Sequence, residues 1–165
     1  MTPAAIIEPC ASDPTNPPPQ LGIVVTIDGA SSGVRPIAAA TEAPYGVMVR
    51  AYPTQAPNAT GYYGAQGFGP VVPWLAAGQP LKNVDVLRQG YILVPVNGQP
   101  KKGNPVHIWF AASAAPHVQG GFEAAATAGS TIELGGGTTF NGSPDANGIV
   151  EIAWNVGAVA VAATP

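Results

Sequence analysis

Apolar and polar positions alternate along this chain in short runs, set apart by glycine, proline and asparagine. The clearest run comes near the end. From Ile149 the side chains divide into Ile149, Glu151, Ala153 and Asn155 on one face and Val150, Ile152, Trp154 and Val156 on the other, the two-residue period of a strand. The second face is wholly apolar and is expected to be buried. Asn-Gly turn signals precede it at 141–142 and 147–148, with Ser-Pro-Asp between them, and both supply residues that tolerate positive φ.

The same reading places strands upstream. Residues 22–27 are a continuous β-branched run that ends at Asp28-Gly29, a hairpin signal, and 34–39 return, with Pro36 marking an edge or bulge. Residues 45–51 set Tyr45, Val47 and Val49 against Gly46, Met48 and Arg50. Strands are predicted at 84–87 and 89–96, a turn at Asn97-Gly98, and a further strand at 105–110. Shorter ones are expected at 121–126, 131–134, 138–140 and 158–162. No segment longer than eight residues shows a 3.6-residue period, and no internal repeat is apparent.

Two stretches stand outside this rhythm. Residues 1–20 end in a proline run, which lacks backbone donors and favours extended geometry, so they are expected to form an arm. Such an arm is either a loose tail or a strap laid on a neighbouring subunit, and its apolar start favours the strap. Ile6, Ile7, Pro17, Pro18 and Pro19 are its candidate contacts. Residues 52–80 are long, irregular and rich in aromatics, which suggests order against the domain or a partner. Tyr62, Tyr63, Phe68 and Trp74 are the candidate contacts there.

Composition narrows the class. The 165 residues suit one domain with a real core, here 21–165, and 46% of them are hydrophobic against only 9% charged. Gly (21) and Pro (19) approach the range of low-complexity chains, but the apolar fraction leaves ample surface to bury. The balance fits an all-β fold, a small antiparallel sandwich or jelly-roll-like barrel with Gly/Pro-rich loops. Val24, Ile92, Val94, Ile108, Val150, Ile152 and Trp154 are its candidate core. A surface this poor in charge is expected to be covered by partners. The net charge of −3 comes with six scattered basic residues, of which only Lys101-Lys102 adjoin, so nothing marks a nucleic-acid interface. No apolar run reaches the ~18 residues of a membrane helix. Cys10 is alone, so the chain cannot form an internal disulfide. Nothing at the start resembles a signal peptide, which points to a cytoplasm or a particle assembled there.

Candidate chemistry does not hold together. Gly29-Ala30-Ser31-Ser32-Gly33 matches a nucleophile elbow, and Asp85 and His107 follow in hydrolase order. The elbow requires a helix directly after the serine, whereas Val34-Arg35-Pro36-Ile37 reads as a strand, so a Gly/Ser hairpin loop is expected. His107 and His117 are ten residues apart and lack further ligands for a metal. Asp145-Ala146-Asn147-Gly148 echoes a calcium loop, yet it lacks the second acidic position and flanking helices, and Asp145 is expected to cap its own turn. The acidic residues form no general acid/base couple, and the expectation is a protein without catalysis, cofactor or metal.

The closing run also resembles that of tailed-bacteriophage capsid cement (decoration) proteins, which often end in F-[NT]-G-x-x-D-x-x-G leading into E-I-A-[FW]-N. Tyr91-Ile92-Leu93-Val94-Pro95-Val96, a Lys/Gly loop and Val106-His107-Ile108-Trp109-Phe110 are similar to the middle of that family. The resemblance covers roughly residues 34–156 in patches and leaves out the arm and the aromatic loop. It implies a β-sandwich or barrel that binds the outside of a phage shell and clamps neighbouring major capsid protein subunits against internal pressure. It also implies self-association as dimers or trimers and a place on the outer capsid surface of the virion. A different class, a β-sandwich module for carbohydrate binding or host adhesion, is the alternative, with Trp74, Trp109, Trp154 and the Tyr62-Tyr63 pair as a stacking platform.

Overall fold

The computed structural model describes residues 5–52, 83–155 and 160–161, and among these the chain forms eleven strands and no helix. They are β1 (Ile6–Ala11), β2 (Val24–Ile27), β3 (Val34–Pro36), β4 (Gly46–Tyr52), β5 (Asn83–Asn97), β6 (His107–Trp109), β7 (Phe122–Glu123), β8 (Thr131–Leu134), β9 (Thr139–Phe140), β10 (Ile149–Trp154) and β11 (Ala160–Val161). The sheet is open rather than closed into a barrel, and the architecture is sandwich-like. Its pairings are antiparallel except where Val96 and Asn97 of β5 run parallel to Phe122 and Glu123 of β7.

Strand β5 organises the molecule. Its first half pairs with β1 and β4, its second half with β10, and its end with β7. The sequence predicts two strands here, 84–87 and 89–96, but the structure has one of 15 residues. The predicted break falls at Arg88, where the register with β1 shifts between Ile6, opposite Gln89, and Ile7, opposite Leu87, without ending the strand; Gly90 then bends it. At φ +136° this glycine redirects the chain in a region that L side chains rarely adopt, yet the ladder continues through it, with Gln89 opposite Ile6 and Gly90 opposite Trp154. A Cβ at position 90 would also come within 3.2 Å of Ala5.

Strand β2, the start of β4 and the first half of β5 bury both of their faces. Val24, Val47 and Leu87 point into a main core with Val94, Ile108, Phe122, Ile132, Phe140, Val150, Ile152 and Trp154. Ile23, Val25, Met48, Val84 and Val86 point the other way into a second, smaller core. This explains why 23–25 is an unbroken β-branched run, since a strand covered on both sides has no polar face. Each large side chain so buried contributes about 1.5–3 kcal/mol over its exposed state. Of the candidate core residues, Val24, Val94, Ile108, Val150, Ile152 and Trp154 are buried, and Ile92 is half-buried against the main core.

Hairpin β2–β3 turns at Asp28, whose Oδ2 accepts from the backbone of Ala30 and Ser31 at 2.9 and 2.8 Å. Pro36 ends β3 at the margin of the sheet, where a missing N–H costs no ladder bond. The turn before β10 closes on Asp145, whose Oδ1 accepts from Asn147 N at 2.8 Å and Ile149 N at 2.9 Å, with Gly148 at φ +75°.

The N-terminal stretch is extended, and its strand lies along β5 of the same chain. Side chains reinforce the ladder: Tyr45 Oη donates to Glu8 Oε2 at 2.8 Å, and the Arg88 guanidinium lies 3.5 Å from the centre of the Tyr45 ring and 3.6 Å from Glu8. Burial and the bond to Glu8 push the Tyr45 phenol up to about 12. Beyond β1, Asp13 accepts from Thr15 and Asn16 and from Ser31 Oγ, while its own N–H donates to Val34 O at 2.9 Å.

Candidate functional site

The residues with possible chemistry are engaged in holding turns. Ser31 Oγ donates to Asp13 Oδ2 at 2.6 Å, so the hydroxyl of the elbow-like sequence faces a carboxylate and no histidine. The segment after it is strand β3, with no helix to strain the serine into an elbow. Ser31, Thr15 and Asn16 together hold the Asp13 carboxyl well below the usual carboxylate range. Asp145 is lowered as well, by the backbone N–H groups of Ile149 and Asn147 that it caps. His107 is buried within β6, opposite Glu123 on one side and Glu133 on the other.

The second histidine belongs to a polar knot. His117 stacks on Trp109 with ring centroids 3.9 Å apart and planes 9° apart. Its Nδ1 lies 2.9 Å from Glu123 Oε1, and Asn97 Nδ2 donates to Glu123 Oε2 at 2.9 Å. The same Nδ1 lies 3.1 Å from Asn97 Nδ2, so with a proton on it His117 donates to Glu123, and without one it accepts from Asn97. Glu123 is only 5% exposed and lines an open pocket of about 220 Å³ beside the end of β5. Sequence reasoning missed this knot because residues 97, 109, 117 and 123 meet only through the pairing of β5, β6 and β7.

The exposed apolar side chains carry the more telling pattern. Ile6 and Ile7 on β1 are 48% and 52% exposed, and Tyr91 and Leu93 on β5 are 46% and 67% exposed. Leu21 and Ile27 add to this set. Tyr91, Leu93 and Pro95 share the face of β5 opposite Ile92 and Val94, and their neighbours on β10 are Ala153, Glu151 and Ile149. The signal for Tyr91 and Leu93 was present: if Ile92 and Val94 point inward, the alternate positions must point outward. Of the proline contacts, Pro19 is exposed and Pro17 half-buried, but Pro18 is buried within its own fold and drops out as a surface contact. Tyr62, Tyr63, Phe68 and Trp74 lie outside the described residues.

A model of the XM1 gp53 minor capsid protein family matches residues 5–154. Among solved structures, the fold is similar to a chain in the capsid of Myoviridae phage XM1. That similarity has a TM-score of 0.60 at 16% sequence identity and covers 93% of this chain and 84% of that one. Among curated proteins, none matches this chain.

Proposed function

The chain belongs to the XM1 gp53 minor capsid protein family, a capsid component of the virion, and from that premise we propose that it acts as a cement protein. In this reading it lies on the outer surface of the shell and clamps neighbouring major capsid protein subunits by interface burial, without turnover. It associates with itself on the particle as a dimer or trimer.

The observation that carries this reading is the set of large apolar side chains left in water on a protein with only 9% charged residues: Ile6, Ile7, Tyr91 and Leu93 are each at least 46% exposed. Exposed apolar patches mark contact sites, and here Ile6 and Ile7 lie on the strand paired with β5, which carries Tyr91 and Leu93. Interfaces of ordinary size, ~1,600 Å² each, become strong when repeated over a shell. Ile6, Ile7, Pro17 and Pro19, with the aromatic residues Tyr62, Tyr63, Phe68 and Trp74, remain the proposed contacts alongside Tyr91 and Leu93. Of the stacking platform in the carbohydrate-binding alternative, Trp109 and Trp154 are 8% and 2% exposed and drop out, while Trp74, Tyr62 and Tyr63 lie outside the described residues.

The direct test is calorimetry of purified shells with and without the added protein. Shells carrying it are expected to melt at a higher temperature and to pellet with it in fixed stoichiometry. Shells that neither retain the protein nor gain stability would overturn the reading.

A further inference from the structure

We propose that the pocket at the end of β5 receives a lysine or arginine side chain from an extended apolar segment of a shell subunit, a placement that rests on the cement reading above. Tyr91, Leu93 and Pro95 stand two residues apart and form an apolar ridge on the open face of β5. Pro95 also lines the pocket, so the ridge leads into it. Leu21, 40% exposed, lies in sequence between the lining residues Gln20 and Gly22.

Inside, Pro95, Pro116, Val118 and Phe122 supply apolar walls, and Glu123 supplies a buried carboxylate. That combination suits a long side chain with an apolar stem and a cationic head. A carboxylate offers about four lone-pair sites, and Asn97 and His117 account for one on each oxygen, so acceptor capacity remains. Charge complementarity extends along the face. Glu151, opposite Leu93, is exposed and held in place by Asn141 Nδ2 at 2.8 Å. A face with apolar contacts and two carboxylates favours an apolar, basic segment and rejects an acidic one.

The test uses shells of the major capsid protein free of this chain, mixed with the full protein and sedimented at low and high salt. Wild type is expected to co-sediment, more weakly at high salt. Leu93→Asp and Glu123→Gln are each expected to weaken binding tenfold or more, and Glu123→Gln to flatten the salt dependence. Leu93 is exposed, so its variant keeps the fold, and near-UV circular dichroism, to which the stacked Trp109 contributes, reports whether Glu123→Gln keeps the knot intact. Should Glu123→Gln unfold, titration of wild type with ethylguanidinium decides: saturable shifts of the Asn97 side-chain amide resonances support the pocket, and their absence overturns it. Either variant binding like wild type overturns the proposal. So does loss of a dimer in Leu93→Asp with shell binding intact, which would give the face to a second copy. Wild type left in the supernatant sinks the cement reading and the occupant with it.

Discussion

Asp13 accepts four hydrogen bonds, from Thr15 N, Thr15 Oγ1, Asn16 N and Ser31 Oγ, and so ties the proline-rich stretch to the first hairpin. The charged carboxylate is the better acceptor, and its pKa is depressed in the folded state. A depressed carboxylate stabilises the fold at pH values above its ordinary range near 4 and loses that contribution as the pH falls through the folded value. Asp28 and Asp145 shift in the same direction, because each caps its own turn. Asp13→Asn is therefore expected to melt below wild type at pH 7, with a gap that narrows as the pH is lowered from about 4. Thermal melts across that range check this, and a gap independent of pH would contradict it.

At the scale of elements, β4 shows how tightly the strands are set. A Cβ on Gly46 would collide with Val86 Cγ1 and lie 2.6 Å from the Leu87 carbonyl oxygen. Gly46→Ala must therefore push β4 from β5, and a loss of about 1–3 kcal/mol is expected, read as a lower urea midpoint with an unchanged slope. Most of these elements were legible in the sequence because strands announce themselves locally. The runs at 22–27, 131–134 and 148–156 each contain the strand observed, and Asn147-Gly148 marks the turn before β10. What stayed hidden depends on distant pairing. No local signal joins 84–87 to 89–96, since the strand is continued across Arg88 only by its change of partner, from β1 up to Gln89 to β10 from Gly90 onward. The pairing of β1 with β5 was equally silent, because its side chains are mostly exposed and its hold is the backbone ladder with the Glu8, Tyr45 and Arg88 cluster. The candidate surface divided in the same way. Ile6 and Ile7 could be named from their apolar character, whereas the pocket beside Glu123 required the fold.

For the whole molecule, low charge and exposed apolar strands have a common outcome. The net charge is −3 and the isoelectric point about 5.1, so near pH 5 little repulsion separates free molecules. The free protein is expected to be least soluble there, and the double variant Ile7→Asp, Leu93→Asp to remain soluble, each change costing less than about 0.5 kcal/mol because both sites are exposed. Precipitation curves with polyethylene glycol, together with melting temperatures, measure both halves of that expectation. The long strand at the centre has a mechanical meaning as well. β5 runs for 15 residues, a contour of roughly 50 Å, and is hydrogen-bonded to β1, β4, β10 and β7. A pull directed along it must shear several ladders at once instead of unzipping them bond by bond. The covalent backbone of one strand thus becomes a tie-rod between the two halves of the protein.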